Sequence, residues 1–244
     1  MSDANTLVAE LYVLFRQRYA EVNRYLKFVE CITENRVVGL LKLEGGDRLP
    51  VPGFEMSREL TKTFRANAYL LLYNLVEATM TNAIDTIHRA IESEGLEFIN
   101  LSEKLQAVAI KHFKIAMSGD VKHIRQNLEH PIGIAVLRLG YDREKIFSGN
   151  VNCSEIQKTA NNYGFISPDP NAKGRQVLRL LNEVRDKRNG LAHGRLSFEQ
   201  CGHETAAEHL AKVSKETAVY LRTVLWSVSI YLRKKQYTAA PIVA

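Results

Sequence analysis

Cysteine is scarce in this 244-residue chain: three residues, Cys31, Cys153 and Cys201, odd in number, far apart and without a Cys-x-x-Cys pair. That usage argues against a disulfide framework or a cysteine zinc site, and the three are read as buried or half-buried thiols in a reducing compartment. No stretch approaches the roughly 18 apolar residues that a membrane span requires. No basic segment followed by an apolar run stands near the N-terminus, so a cytoplasmic protein without membrane contact is expected. Glycine-rich phosphate loops and strand–turn–helix alternation are also missing, which argues against a nucleotide-binding α/β fold. Nor is charge of one sign massed anywhere: 33 Lys and Arg against 27 Asp and Glu leave a formal +6 spread along the chain. Such a surface favours a polyanionic partner without demanding one.

What is present is helical periodicity. Over about 5–35, Leu7, Leu11, Leu14, Val22, Leu26, Val29 and Ile32 recur at intervals of three, four or their sums, the signature of an amphipathic helix. A second long helix is expected over 57–94, opened by Ser57 and closed by Gly95, with Leu60, Phe64, Ala68, Leu71, Leu75, Ala78, Ile84, Ile87 and Ile91 as apolar positions. Its stretch from Tyr69 to Val76 is apolar nearly all round and must be covered on several sides. Between these helices, Gly45-Gly46-Asp47 and Pro50-Val51-Pro52-Gly53 mark turns, and a small hairpin within 39–54 is one reading. Residues 96–170 alternate short helical patterns (102–117, 119–130, 153–163) with loops, as an insertion into a simpler core would. A helix over 171–193 follows, with Val177, Leu178, Leu181 and Val184 as its stripe. The last, over 204–235, lines up Leu210, Val213, Thr217, Leu221, Val224, Val228 and Leu232, with Trp226 and Tyr231 packed beside that face. Together these predict one all-α helical domain over 1–236, an elaborated middle, and a loose tail over 237–244.

One segment carries chemistry. Arg188-Asn189-Gly190-Leu191-Ala192-His193 places a guanidinium, an amide and an imidazole within six positions near the end of a predicted helix. An imidazole titrating near neutrality beside a permanent cation is a workable apparatus for cleaving a phosphodiester. Gly190, Ala192 and Gly194 would allow a large anion, or a second copy of the chain, to approach closely. The alternative reading is a solvated helix end whose cations complement the macrodipole. On an ideal helix Asn189 and His193 share a face, whereas Arg188 lies about 140° from His193. Arg125 and His130 repeat the spacing, but Pro131 directly after them marks a helix boundary.

Other candidates are weaker. Glu77, directly after the apolar run, is read either as a core carboxylate paired with a cation of another helix or as a group orienting Arg188 or His193. His203-Glu204 and Glu208-His209 lack the four-residue His spacing of zinc helices and are read as the solvated start of the last helix. His112 and His123 are read as surface or satisfied side chains. Neither a metal nor a cofactor is expected.

The segments Tyr69–Glu77 and Arg188–Gly194, followed by Ser197-Phe198-Glu199-Gln200-Cys201-Gly202, resemble the HEPN superfamily, in particular its bacterial toxin-like, defence-associated branch. The resemblance covers most of the chain, and least clearly 100–170. It implies a compact helical bundle that pairs with a second HEPN unit, so that two Arg-x-x-x-x-His motifs face one cleft. It further implies metal-independent RNA cleavage by 2′-hydroxyl attack, with Arg188 and His193 as the catalytic pair and Asn189 as polar helper. Glu77, Arg185 and Arg195 are taken as supporting residues. Arg195 stands where some family toxins carry a modifiable Tyr, a departure from that mode of control. Expected partners are RNA, a second copy, and an antitoxin or defence-system component. The competing expectation is a non-catalytic helical module that binds RNA, nucleotide or a partner protein.

Overall fold

The computed structural model describes residues 4–35, 37–117, 146–147 and 149–239. Helix α1 spans Ala4–Glu34, strands β1 and β2 span Gly39–Glu44 and Asp47–Glu55, and α2 spans Arg58–Ser93. After a 3-10 turn at Phe98–Asn100 come α3 (Glu103–Met117) and α4 (Cys153–Tyr163). The chain ends with α5 (Val177–Ala192), α6 (Phe198–His203) and α7 (Ala207–Arg233). The protein is all-α, with one hairpin among the described residues. The segment 119–130, including Arg125 and His130, lies outside the described residues, as does His123.

Local chemistry sets several boundaries. Ser57 caps α2 by accepting the Leu60 N–H at 3.1 Å, and Gly95 adopts φ 63° just past its end. The hairpin turns on Gly45 (φ 62°) and Gly46 (φ 96°), the two positive φ values that a tight two-residue connection requires. Pro50 and Pro52 confine β2 to a two-stranded edge arrangement. The expected helix over 171–193 begins only at Val177: Gly174 takes φ 73° and Arg175 is extended, ending a separate 3-10 turn at Ala172–Gly174.

Long side chains fix the helix directions. Arg89 pairs with Glu10 at 2.9 Å, and the Tyr25 hydroxyl donates to the Phe64 carbonyl at 2.8 Å, so α1 runs antiparallel to α2. Lys235 reaches Glu94 at 3.2 Å, setting α7 parallel to α2. His209 meets Glu183 at 2.7 Å and Arg175 meets Glu216 at 3.6 Å, so α5 descends against α7. Tyr69, Leu72, Tyr73, Met80, Ile84 and Ile87 of α2 are fully buried in the core that α2 shares with α1, α5 and α7. Each such side chain contributes on the order of 1.5–3 kcal/mol of burial. Short α6 lies hard against the start of α2: a Cβ on Gly202 would fall 1.8 Å from the Lys62 carbonyl oxygen.

Several expectations need correction. Leu14 is 41% exposed and Phe15 takes its place in the core, because the buried line of α1 runs 7, 8, 11, 15, 22. Trp226 does not pack beside the buried face of α7 but stands 61% exposed. Cys31 is exposed, whereas Cys153 and Cys201 are buried. The final segment is not loose from 237: Tyr237 is buried, donating to Glu94 at 2.7 Å. Its carbonyl accepts from Ser102 and Ala239 donates to Asn100, both at 2.8 Å. Residues 240–244 lie outside the described residues.

Candidate functional site

The end of α5 is built by two glycines. The His193 N–H bonds back to the Asn189 carbonyl at 3.1 Å, Gly194 to Leu191 at 3.3 Å, and Leu196 to Gly190 at 3.1 Å. Gly194 adopts φ 66°, the left-handed conformation that ends many helices. Gly190 is buried, and a Cβ there would press within 3.1 Å of Leu196 Cβ. Both glycines therefore serve the fold of their own chain, and only Ala192 of the three small residues lacks such a reason. His193, with φ −98° and ψ 9°, is the first residue outside the helix. Its imidazole is exposed.

Arg188 is held from three directions. Nη1 donates to the Gly149 carbonyl at 3.3 Å and to Asn189 Oδ1 at 2.9 Å, and Cζ lies 4.5 Å from the centroid of the Tyr73 ring. Gly149 has φ 73°, and a Cβ there would come within 3.3 Å of that Nη1, so glycine gives the guanidinium its room. The Asn189 amide donates onward to Asn150 Oδ1 at 3.2 Å. Tyr73 ties the arrangement to α2: its hydroxyl accepts the Val151 N–H at 3.1 Å and donates to Glu77 at 3.3 Å. Burial raises the Tyr73 pKa, opposed first by the Val151 N–H and more weakly by Arg188. The hydroxyl therefore stays protonated and available to Glu77.

The predicted residues thus divide. Arg188 and Asn189 are joined directly, while His193 is on the same helix end without a bond to either side chain among the described residues. Among the described residues Glu77 makes no ion pair; it is half-buried and is linked to Arg188 through Tyr73. Among the described residues it is thus joined to the motif indirectly, by a hydroxyl and a ring. Arg185 is engaged with its neighbour Asp186 at 2.7 Å, and Arg195 is exposed. Reading the sequence missed Tyr73, Gly149 and Asn150. The available signal for Tyr73 was a hydroxyl one helical turn before a carboxylate in an otherwise apolar run.

A second polar cluster lies on another face of α5. Glu183 Oε1 accepts from the Tyr69 hydroxyl and meets His209 Nε2, both at 2.7 Å, while Lys187 pairs with Glu204 at 2.7 Å. Burial, with the Glu183 carboxylate adding to it, pushes the Tyr69 pKa well up. His209 is half-buried rather than fully solvated as expected, its ring held against Glu183 of α5. Burial likewise lowers the pKa of His112, which is half-buried. Among the described residues no group of three or more His, Cys, Asp and Glu is placed to hold a metal ion, and no helix is long and apolar enough to cross a membrane.

This helical architecture and helix-end motif agree with the comparison to known families, in which the description HEPN_MAE_28990-like HEPN matches residues 7–237. The chain belongs to that HEPN family. No curated protein and no solved structure matches it significantly.

Proposed function

We propose that the chain is a metal-independent endoribonuclease that works as a two-fold dimer. The observation that carries this reading is the end of α5, where an anchored guanidinium and an exposed imidazole share one helix terminus. The Arg188 hydrogen bonds among the described residues use Nη1 alone, leaving N–H groups of the guanidinium for a phosphate. In this reading His193 removes the proton of an RNA 2′-hydroxyl. The 2′-oxygen bonds to the adjacent phosphorus, the bond to the 5′-oxygen breaks, and the partner's His193 protonates the departing oxygen. Arg188 stabilises charge on the phosphorane, Asn189 fixes Arg188, and Arg195 adds positive charge at the mouth. Arg185, tied to Asp186, plays a supporting part. The products carry 2′,3′-cyclic phosphate and 5′-hydroxyl ends.

An isologous contact along the end of α5 would bring two motifs to one cleft, which suits an Arg188 and a His193 that share no hydrogen bond within one chain. A toxin or defence role, a restraining antitoxin or other partner, and a cytoplasmic setting belong to the same reading. A second reading, a helical module that binds RNA, nucleotide or protein without cleaving, is favoured by the lack of a bond between Arg188 and His193. The test is RNA cleavage with EDTA present, followed by end-group analysis. Cleavage that survives EDTA, yields cyclic phosphate and vanishes in His193→Ala supports the enzyme. Full activity in His193→Ala, or 5′-phosphate products, overturns it.

A further inference from the structure

We infer that the outward face of α7 is a binding surface for single-stranded RNA, distinct from the helix-end site of α5. The inference extends the ribonuclease reading by naming where substrate is held away from the chemistry. Trp226 is 61% exposed in the C-terminal half of α7, a long helix whose opposite face is buried. At 100° per residue, Lys212, Lys215, Arg222 and Arg233 all fall within about 40° of Trp226 around the helix axis. Each of the four is exposed, and none is in an ion pair among the described residues. Val219 and Ile230, both half-buried, complete the same stripe. Glu208, at its N-terminal end, is the one carboxylate within that arc, while Glu216 at its margin is already paired with Arg175 at 3.6 Å.

An aromatic face flanked by exposed cations fits one class of partner best. Phosphates are drawn by the cations, and a base of any identity can stack on the indole. A protein partner fits less well, because interface centres are depleted in lysine. A second copy meeting face to face would set like charges together. From Lys212 to Arg233 the stripe runs roughly 31 Å, enough for several nucleotides. Because α5 runs antiparallel to α7, the motif end of α5 lies beyond the Lys212 end of the stripe. A strand bound along α7 would therefore lead toward the motif.

Trp226 is the single tryptophan of the chain, so its emission reports on this surface directly. The experiment titrates the full chain with a 2′-O-methyl oligonucleotide, which lacks the attacking hydroxyl and cannot be cleaved by the proposed route. Emission should be quenched, and four phosphate contacts imply an affinity loss of roughly 50-fold between 50 and 200 mM salt. By anisotropy of a labelled oligonucleotide, Trp226→Ala should weaken binding about 10-fold and Trp226→Phe much less. The double variant Lys215→Glu, Arg222→Glu should remove most of the salt dependence. Absence of quenching, quenching indifferent to salt, or unchanged binding by Trp226→Ala overturns the proposal. So does a dimer that sediments as a monomer once Trp226 is replaced, which would make the face a self-interface. Quenching by an oligonucleotide in a protein that cleaves nothing would sink the enzyme reading alone; cleavage without quenching would sink this one alone.

Discussion

Replacing Tyr73 by Phe separates what its ring does from what its hydroxyl does. The substitution keeps the aromatic face 4.5 Å beneath Arg188 and deletes one oxygen. That oxygen is the acceptor for the Val151 N–H at 3.1 Å, and Val151 is only 1% exposed, so water cannot readily replace it. An unsatisfied buried donor costs about 1–3 kcal/mol. Glu77 loses only a long bond of 3.3 Å and is half-exposed, so it can turn to solvent and adds little. At roughly 2–4 °C per kcal/mol for a chain of this size, about 2 kcal/mol lowers the melting temperature by about 4–8 °C. Cleavage by Tyr73→Phe, assayed well below that midpoint, should stay within about 3-fold of wild type, because the π-face under the guanidinium persists. Tyr73→Leu removes that face as well, and the roughly 0.5–2 kcal/mol of a cation–π contact translates to about a 2- to 30-fold slower reaction. A Phe variant that melts with the wild type yet loses cleavage would refute this reasoning and place the hydroxyl in the chemistry itself.

Gly202→Ala should destabilise by more than about 3 kcal/mol in urea titrations, because its Cβ would meet Lys62 backbone at 1.8 and 2.4 Å. Gly190→Ala meets a side chain at 3.1 Å and gains helix propensity, so it should stay within about 1 kcal/mol; equal costs would deny the close contact of α6 with α2. Arg188→Ala and His193→Ala should both abolish cleavage, but only the former should cost about 1–2 kcal/mol, since Arg188 is anchored and His193 is exposed. Indistinguishable melting curves would contradict that anchoring. Burial lowers the pKa of His88 from 6.5 to about 3, so the unfolded chain takes up this proton first as the pH falls. The contribution of His88 is complete above pH 6.5 and declines toward pH 3, by up to about 1.4 kcal/mol per unit. His88→Gln should flatten the change in unfolding midpoint between pH 7 and pH 5, and an unaltered slope would contradict the burial.

Much of the fold was legible because it follows from periodicity. The stripe from Leu210 to Leu232 is buried throughout, and α4 spans the expected residues. Boundaries depended on backbone conformations that composition does not encode, as where Gly174 delays the start of α5. Trp226 misled because size and hydrophobicity argue for burial, whereas the helical phase that exposes it is fixed by its neighbours. At the site, Arg188 and Asn189 could be named from spacing, but their partners could not. Gly149, Asn150 and Val151 lie some 40 positions upstream, and only tertiary folding brings them to α5. Glu77 shows the same gap: a carboxylate directly after an apolar run stood out, while the tyrosine that connects it to Arg188 read as one more core residue.

The bond from Arg188 to the Gly149 carbonyl also bears on how such a site can be altered over time. The motif cation takes part of its position from the backbone just ahead of α4 rather than from its own helix alone. Insertions or deletions between α3 and α4 can therefore displace the Arg188 guanidinium while every residue of the motif stays in place. Two chains with identical six-residue motifs need not be equally competent. Their difference would be written in the length of the segment between α3 and α4, where a comparison of motifs alone would not find it.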